Sequence, residues 1–420
     1  MITAQQNELL TRVGGDAPMS RLIRSSTWVP FALPTQLKPY DAPMKVRLFG
    51  ADYVAWRAPD GRVGFVDQAC PHRRVSLALV RNEGCAIRCI FHGWAIDVTG
   101  KVVEAPSQGA DQADFCARVE VAHHPTREAG DLVWVWLGEG LPAEMPRLPI
   151  VGLPEGHAWS TVTKVACNWL QGLEGGLDTF HIQALHASWI ERLSPPKKSS
   201  GGADPAKMLL TSPLTYIVEP TELGLSAIAL RSYPNGSTLM RVTQYIRPFS
   251  VLIPGYPTGS TLTMSVPVDD ENYLFFLVYF SAREKVDENW PPLRRIVGND
   301  RVVREDFAPL LADEAANYGQ DRALMAAGHY SGFPGNLFEE DTVVQVAMGR
   351  IADRTREHLS ASDVAIVQMR AQLLRALREA EADDIGSAAP GADPLGFEVM
   401  VPPGADWRDA FAGQGRRDVA

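Results

Sequence analysis

Short runs of β character dominate the first third of the chain, mixed patterns follow, and helical spacing dominates the last third. "MKVRLFGADYVAWRAPDGRVGFVDQACPH" holds three β-rich runs, with Pro59-Asp60-Gly61 between two of them. That tripeptide has hairpin-turn chemistry: Pro presets φ, Asp bonds nearby backbone, and Gly accepts the left-handed conformation. "AIDVTGKVVEAPS" repeats the pattern around Thr99-Gly100. In "DLVWVWLG", Val133 and Val135 face one way and Trp134 and Trp136 the other, as in a strand with two different faces. These runs predict a small all-β domain over residues 30–148, after a helical lead-in over 1–29. "LPAEMPRLPIVGLPEG" is Pro-rich and reads as a linker.

Beyond it, "CNWLQGLEGGLDTFHIQALH" (residues 167–186) is mostly helical in pattern, with Gly175-Gly176 inside. "ERLSPPKKSSGGADP" is polar and rich in Pro, Gly and Ser, which reads as a loop. The runs "SAIAL", "TLMRVTQYI", "TLTMSV" and "NYLFFLVYF" predict strands. "SASDVAIVQMRAQLLRALREAEADD" predicts a helix with Ser362 as N-cap, Asp363 in the first turn, and apolar Val364, Val367, Leu374 and Leu377. The tail from Gly386 is rich in Gly, Pro and Ala. Strands followed by helices predict an α+β domain over 149–420.

Composition narrows the function. The 420 residues are 45% hydrophobic and 21% charged, enough for two domains with sizeable cores. The formal net charge is −10 and no basic tract stands out, which argues against nucleic acid or an anionic membrane as partner. Five cysteines are too few for a disulfide framework, and an odd number suits a reducing compartment. The N-terminal stretch lacks a basic-then-apolar signal pattern, and the apolar run "YLFFLVYF" has the length of a strand, not of a bilayer span. The expected location is cytoplasmic.

One stretch adds chemistry. In "CPHRRVSLALVRNEGCAIRCIFHGW" (residues 70–94), Cys70-x-His72 and Cys89-x-x-His92 are separated by sixteen residues. A single pair would read as a buried thiol and a core imidazole. Two pairs read as a metal site. Zinc accepts two Cys and two His, but finger-like sites favour Cys-Cys then His-His. One Cys and one His from each loop suits a two-iron cluster, with thiolates on one iron and imidazoles on the other; this is Rieske ligation. Val75 and Ile90 flank the ligands where a membrane electron-transfer type would carry a disulfide pair. Cys85 reads as a buried thiol on the approach strand. Trp94 either packs over the cluster and restricts water or belongs to the ordinary core.

"GGLDTFHIQALH" carries Asp178, His181 and His186. Asp178 and His181 are i, i+3 and share a helix face. His181 and His186 are i, i+5, about 140° apart on a regular helix, so they converge only if the helix bends or ends between them. Two histidines and a remote carboxylate would make a facial triad with open positions for dioxygen on Fe(II). Alone, HxxxxH reads as two polar residues of an amphipathic helix; after a Rieske motif it reads as a metal site.

With these motifs the chain resembles the large (alpha) subunit of Rieske non-haem iron ring-hydroxylating oxygenases, in the phthalate dioxygenase-like branch. The resemblance runs nearly the whole length. It includes "NELLTRVGGDAPMSRLIRSSTWVPF", the two loops, "CNWLQGLEGGLDTFHIQALH" and "FEEDTVVQVAMGRIADRTREHLSASDVAIVQMR". Arg350 in "MGRI" departs from the usual proline at a position outside the ligands. The resemblance implies an all-β Rieske domain and an α+β helix-grip (START-like) catalytic domain with an antiparallel sheet. It implies one 2Fe-2S cluster on Cys70, His72, Cys89 and His92, and one mononuclear Fe(II) on His181, His186 and Asp341. Glu339 and Glu340 are the local competitors of Asp341. Asp178 would link His181 to His72 or His92 of the partner subunit, which implies a homotrimer or stacked hexamer. Asn168 lies near the iron in some relatives, or is a polar helix-start residue.

The implied reaction uses O2 and electrons from an NAD(P)H-dependent reductase with flavin and a ferredoxin-type 2Fe-2S centre. It hydroxylates or dealkylates an aromatic acid or aryl ether. A substrate carboxylate would want a cation, with Arg241 and Lys207 as candidates beside their reading as surface charges. The rival readings are an electron carrier with a non-catalytic downstream domain and a zinc-stabilised binding module.

Overall fold

The turn chemistry closes where the spacing places it. Gly61 adopts φ +91° and its N–H donates to Ala58, and Gly100 adopts φ +83° in the turn that bonds Asp97 to Lys101. These backbone conformations favour glycine because no Cβ collides there. A computed structural model describes residues 2–193, 214–254, 260–287, 304–306, 308, 310, 312–381 and 396–414. Within it the chain divides into two compact units. One comprises residues 12–146 and 266–270; the other comprises 1–11, 147–265 and 271–420. Among the described residues no helix is long and apolar enough to cross a membrane.

The first unit is built from β1 (Val29–Ala32), β2 (Met44–Leu48), β3 (Ala51–Arg57), β4 (Val63–Asp67), β5 (Val80–Asn82), β6 (Ala86–Cys89), β7 (Ala95–Asp97), β8 (Val102–Glu104), β9 (Thr126–Ala129) and β10 (Leu132–Val135). They form three sheets, in the orders β1-β10-β9, β2-β3-β4 and β5-β6-β7-β8. The Val/Trp alternation of β10 separates two buried faces, since Val133, Trp134, Val135 and Trp136 are all buried. The indole N–H of Trp134 donates to Ala129 at 2.9 Å. A separate core of Val54, Trp56, Leu77, Ile87 and Ile96 encloses Cys70 and Cys89.

The second unit holds β11 (Ala158–Val165), β12 (Leu214–Pro220), β13 (Gly224–Ser232), β14 (Thr238–Ile246), β15 (Ser250–Ile253), β16 (Ser260–Asp269), β17 (Asn272–Phe280) and β18 (Phe397–Val401). They make one eight-stranded sheet in the order β11-β17-β16-β15-β14-β13-β12, with β18 added alongside β14. Its β11/β17 and β12 to β16 pairings are antiparallel. The helix Trp169–Leu177 lies on this sheet: a Cβ on Gly172 would sit 2.5 Å from the Tyr273 ring and 2.7 Å from Ser265 Oγ. Only glycine permits that approach. The helix Val364–Glu381 packs on the same helix, and its Gln372 donates to the Gly224 carbonyl at 2.9 Å. The opposite face, with Ile228, Met240 and Val242, is covered by Trp407 and Phe411.

Two local expectations change. The helix expected to run through residues 167–186 stops at Leu177, and a short 3-10 turn, His181–Gln183, follows. Asp178 turns extended and its Oδ1 accepts from the Phe180 N–H at 2.7 Å, a side-chain competitor for the backbone. The long C-terminal helix is entered through a 3-10 turn capped by Ser360 rather than Ser362. The reason is reciprocal bonding, since Asp363 reaches back to the Ser360 N–H at 2.7 Å. "ERLSPPKKSSGGADP" lies almost wholly, and Lys207 entirely, outside the described residues.

Candidate functional site

In the first unit two six-residue loops repeat one backbone design. Cys70 N–H donates to Val75 and its carbonyl accepts from Arg74; Cys89 N–H donates to Trp94 and its carbonyl accepts from Gly93. The fifth residue of each loop, Arg74 and Gly93, has positive φ. Both cysteines are buried and unbridged, and burial, together with the neighbouring Cys89 thiol, pushes Cys70 up. The His72 and His92 rings are 4.4 Å apart between centroids. Their Nδ1 atoms are buried and have no hydrogen-bond partner. Trp94, itself buried, stacks on His72 at 4.6 Å with an interplanar angle of 6°. Two thiols and two orphaned imidazole nitrogens at one place are what a 2Fe-2S group with mixed ligation needs. Cys85 is exposed, which corrects the expectation of a buried thiol. It sits beside Gly84, in the turn between β5 and β6, where the chain leaves the core.

In the second unit the helix end at Leu177 gives the two histidines freedom to converge. His181 Nε2 and His186 Nε2 are 3.1 Å apart. Asp341 Oδ1 lies 3.2 Å from His186 Nε2 and 3.6 Å from His181 Nε2. Bonds of about 2.1 Å to a first-row metal, at right angles, place cis donors about 3 Å apart, so the three atoms fit one face of a metal's coordination sphere. Among the described residues this is the one group of three or more His, Cys, Asp or Glu donors so gathered.

Asp341 comes from the helix Leu337–Ala347, whose N-cap Asn336 accepts from Phe338 and Glu339 N–H, each at 2.9 Å. Gln171 of the helix Trp169–Leu177 donates to the Gln345 and Gly349 carbonyls at 2.8 and 3.0 Å, which locks the two helices together.

Each histidine also has a carboxylate at its other nitrogen. Asp178 Oδ2 is 3.4 Å from His181 Nδ1, and Glu340 Oε2 is 2.7 Å from His186 Nδ1. Burial would lower His186, but Asp341 and Glu340 outweigh it and push the imidazole up to about 9. Burial would raise Asp178, and the hydrogen bond to His181 outweighs it and holds the carboxylate down. The "EED" run is thereby divided. Asp341 faces both Nε2 atoms, Glu340 holds His186 from behind, and Glu339 is buried beside Gly335 outside the cluster.

Glu340 was legible only as a rival ligand. Its bond to His186 crosses 154 residues, and its other oxygen accepts from Ser331, a residue with no motif around it.

Other candidates are placed as follows. Asn168 is buried, caps the helix Trp169–Leu177 by accepting from Leu170 N–H at 3.1 Å, and donates to the Thr11 carbonyl at 2.8 Å. Arg241 on β14 pairs with Glu398 on β18 at 2.9 Å.

Comparison with known proteins agrees with this geometry. Residues 27–125 match the Rieske [2Fe-2S] domain family, and residues 154–419 match the "LigXa C-terminal domain like" family. The chain is 35% identical to the oxygenase subunit of phthalate 4,5-dioxygenase from Pseudomonas putida, covering 97% of this chain and 94% of that one. It is 32% identical to the 3-chlorobenzoate-3,4-dioxygenase oxygenase subunit of Comamonas testosteroni, with 98% of each covered. A crystal structure of dicamba monooxygenase bound to dicamba shares the fold at 16% identity, with a TM-score of 0.58 over 86% of this chain and 99% of that one. The chain therefore belongs to the Rieske non-haem iron ring-hydroxylating oxygenases, as an oxygenase subunit of the phthalate dioxygenase-like branch, with a 2Fe-2S cluster and a mononuclear iron as its cofactors.

Proposed function

We propose that the chain is the terminal oxygenase of a system acting on an aromatic acid or aryl ether, by cis-dihydroxylation or by monooxygenation with dealkylation. The observation that carries this is the convergence of His181, His186 and Asp341 downstream of two intact Cys-His loops. A pure electron carrier would have no use for that second donor set. When bound, the cluster supplies single electrons and the ferrous ion supplies open positions for dioxygen.

Cys70, His72, Cys89 and His92 would hold the cluster, and Trp94, stacked on His72, keeps water from that ring. His181, His186 and Asp341 would hold the iron. Asp178 and Glu340 orient the two imidazoles by accepting at Nδ1, which fixes the tautomer that leaves each Nε2 free. Relatives' names support the substrate class: phthalate, 3-chlorobenzoate and, at 29% identity, 5,5'-dehydrodivanillate O-demethylation.

The partner is an NAD(P)H-dependent reductase with flavin and ferredoxin-type 2Fe-2S centres. The working unit is a cytoplasmic homotrimer or stacked hexamer, in which Asp178 links His181 to His72 or His92 of the partner subunit. Ile90 and Phe91 in the second cluster loop support such an interface: they are 63% and 50% exposed beside His92, an apolar rim of the kind that marks docking surfaces.

The test is turnover of phthalate, 3-chlorobenzoate and methoxybenzoates with a surrogate reductase under 18O2, with products read by mass. Incorporation of label is the expected result. A reducible cluster with no labelled product from any of them would favour the electron-carrier reading.

Glu340→Gln gives a second, activity-free check. It keeps an acceptor for His186 but removes the charge. About tenfold faster loss of the mononuclear iron to a chelator is expected, with the cluster absorbance unchanged. Wild-type iron retention would remove Glu340 from this role.

A further inference from the structure

Two carboxylates stand behind the two histidines, and each is itself held by a donor on its other oxygen. For Asp178 the donor is local: Oδ2 faces His181 Nδ1 and Oδ1 accepts from the Phe180 N–H at 2.7 Å. For Glu340 it comes from a remote segment: Oε2 accepts from His186 Nδ1 at 2.7 Å and Oε1 accepts from the Ser331 hydroxyl.

The direction of that hydroxyl is settled by its neighbours. A serine hydroxyl has one proton to donate. Its oxygen accepts from the Phe333 N–H at 3.2 Å. The ring nitrogen near it, His329 Nδ1 at 3.5 Å, already accepts from the Gly332 N–H at 3.1 Å. The Ser331 proton therefore goes to Glu340.

The segment presenting Ser331 is fixed from several sides. The Ser331 carbonyl accepts from the Gln320 side chain at 2.6 Å, and the Gly332 carbonyl accepts from the Asp321 N–H at 2.9 Å. Gly332 has φ +79°, and a Cβ there would meet the Asp321 carbonyl oxygen at 2.9 Å, so glycine makes this turn. Tyr330 donates its N–H to Ser188 Oγ at 2.8 Å, and Ser188 lies on the helix Ala187–Leu193 that directly follows His186. Two adjacent residues of one segment thus hold His186 twice, its ring through Glu340 and its chain through Ser188. Ser331 and Glu340 are 6% and 0% exposed, so bulk water does not compete for the carboxylate.

We propose that Ser331 is a positioning residue for the mononuclear iron: it aims Glu340 at His186 Nδ1 and so fixes the direction of His186 Nε2. This rests on the assignment of the iron to His181, His186 and Asp341. A carboxylate bonded at one oxygen can swing, whereas one bonded at both presents Oε2 to the ring in a single orientation. The orientation and basicity of a metal-ligating imidazole follow from the acceptor at its other nitrogen. Removing the hydroxyl also leaves a buried carboxylate oxygen without its donor, which drives the group away from this geometry.

The test uses the intact, cluster-loaded protein and reads metal rather than turnover. Ser331→Ala is expected to lose the mononuclear iron to a chelator about tenfold faster than wild type, with the cluster absorbance unchanged. Cobalt(II) loaded in place of that iron should show shifted ligand-field bands in the same variant. Ser331→Thr keeps the hydroxyl and should restore both readouts towards wild type. A serine that only filled space would give the opposite order, since alanine fits its site more easily than threonine. The proposal is overturned if Ser331→Ala keeps wild-type iron retention and cobalt bands, if Ser331→Thr sheds metal faster than Ser331→Ala, or if Ser331→Ala loses the cluster as well. Iron that His181→Ala loses but Ser331→Ala holds normally removes this proposal alone. A wild type without mononuclear iron removes the metal site and this proposal together.

Discussion

His181→Ala is expected to release the mononuclear iron and cut oxygenation by about three orders of magnitude or more, while the visible spectrum of the 2Fe-2S cluster persists. The separation follows from the fold. His181 belongs to the unit containing residues 147–265, whereas Cys70, His72, Cys89 and His92 belong to the unit of residues 12–146. Loss of one imidazole leaves His186 Nε2 and Asp341 Oδ1 3.2 Å apart, two donors where three had converged. Metal analysis and electron paramagnetic resonance of the same sample report the two centres separately. A variant that keeps its mononuclear iron and its turnover would sink the assignment of His181. Asp178→Asn is the contrasting case. The amide still reaches His181 but carries no charge, so both metals stay while reoxidation of the cluster in a single turnover slows.

Glu174→Ala is expected to lower stability by about 3–5 kcal/mol, the cost of breaking a buried ion pair and stranding its partners. Glu174 lies on the helix that precedes Asp178 and the two histidines. Arg354 grips it through three hydrogen bonds of 2.9, 3.2 and 2.8 Å, and Arg370 adds a fourth at 2.7 Å. Arg370 is shared with Glu357 at 2.6 and 3.0 Å. Both arginine side chains are almost wholly buried. Glu174→Ala leaves the Arg354 cation without its carboxylate, keeping only bonds to the Asn7 and Ala352 oxygens at 3.3 Å, and leaves Arg370 with a single carboxylate.

The effect has a pH signature. Burial alone would raise Glu174; the two arginines outweigh it and hold the carboxylate below its ordinary 4.5. A depressed carboxylate contributes stability that is present above the unfolded-state value and is lost as pH falls through the folded-state value. Wild type should therefore lose stability below about pH 4.5, and Glu174→Ala should lose less over the same range. Thermal unfolding of both proteins from pH 7 to pH 3 measures this. Parallel curves would show that the network contributes little.

Much of the chemistry was legible along the chain because it lies within short segments. Cys70-x-His72 and Cys89-x-x-His92 carry both their ligands and the glycine or arginine that turns each loop. The HxxxxH spacing stated its own condition, a break in the helix, and Asp178 meets it by bonding Phe180 N–H. The alternation in β10 showed two faces but not that both are buried, because burial depends on what packs against them.

What the amino-acid sequence determined by itself is therefore the strands, the turns and the two Cys-His loops, since periodicity and turn chemistry act over a few residues. Only the tertiary structure decided which carboxylate of "EED" meets the histidines, which arginine is spent and which stays unpaired, and that Cys85 is exposed. Consecutive residues of a helix point about 100° apart, so Glu340 and Asp341 diverge by position alone. Arg231 and Arg241 differ because register sets Glu398 opposite Arg241, and that pairing is made between strands 157 residues apart.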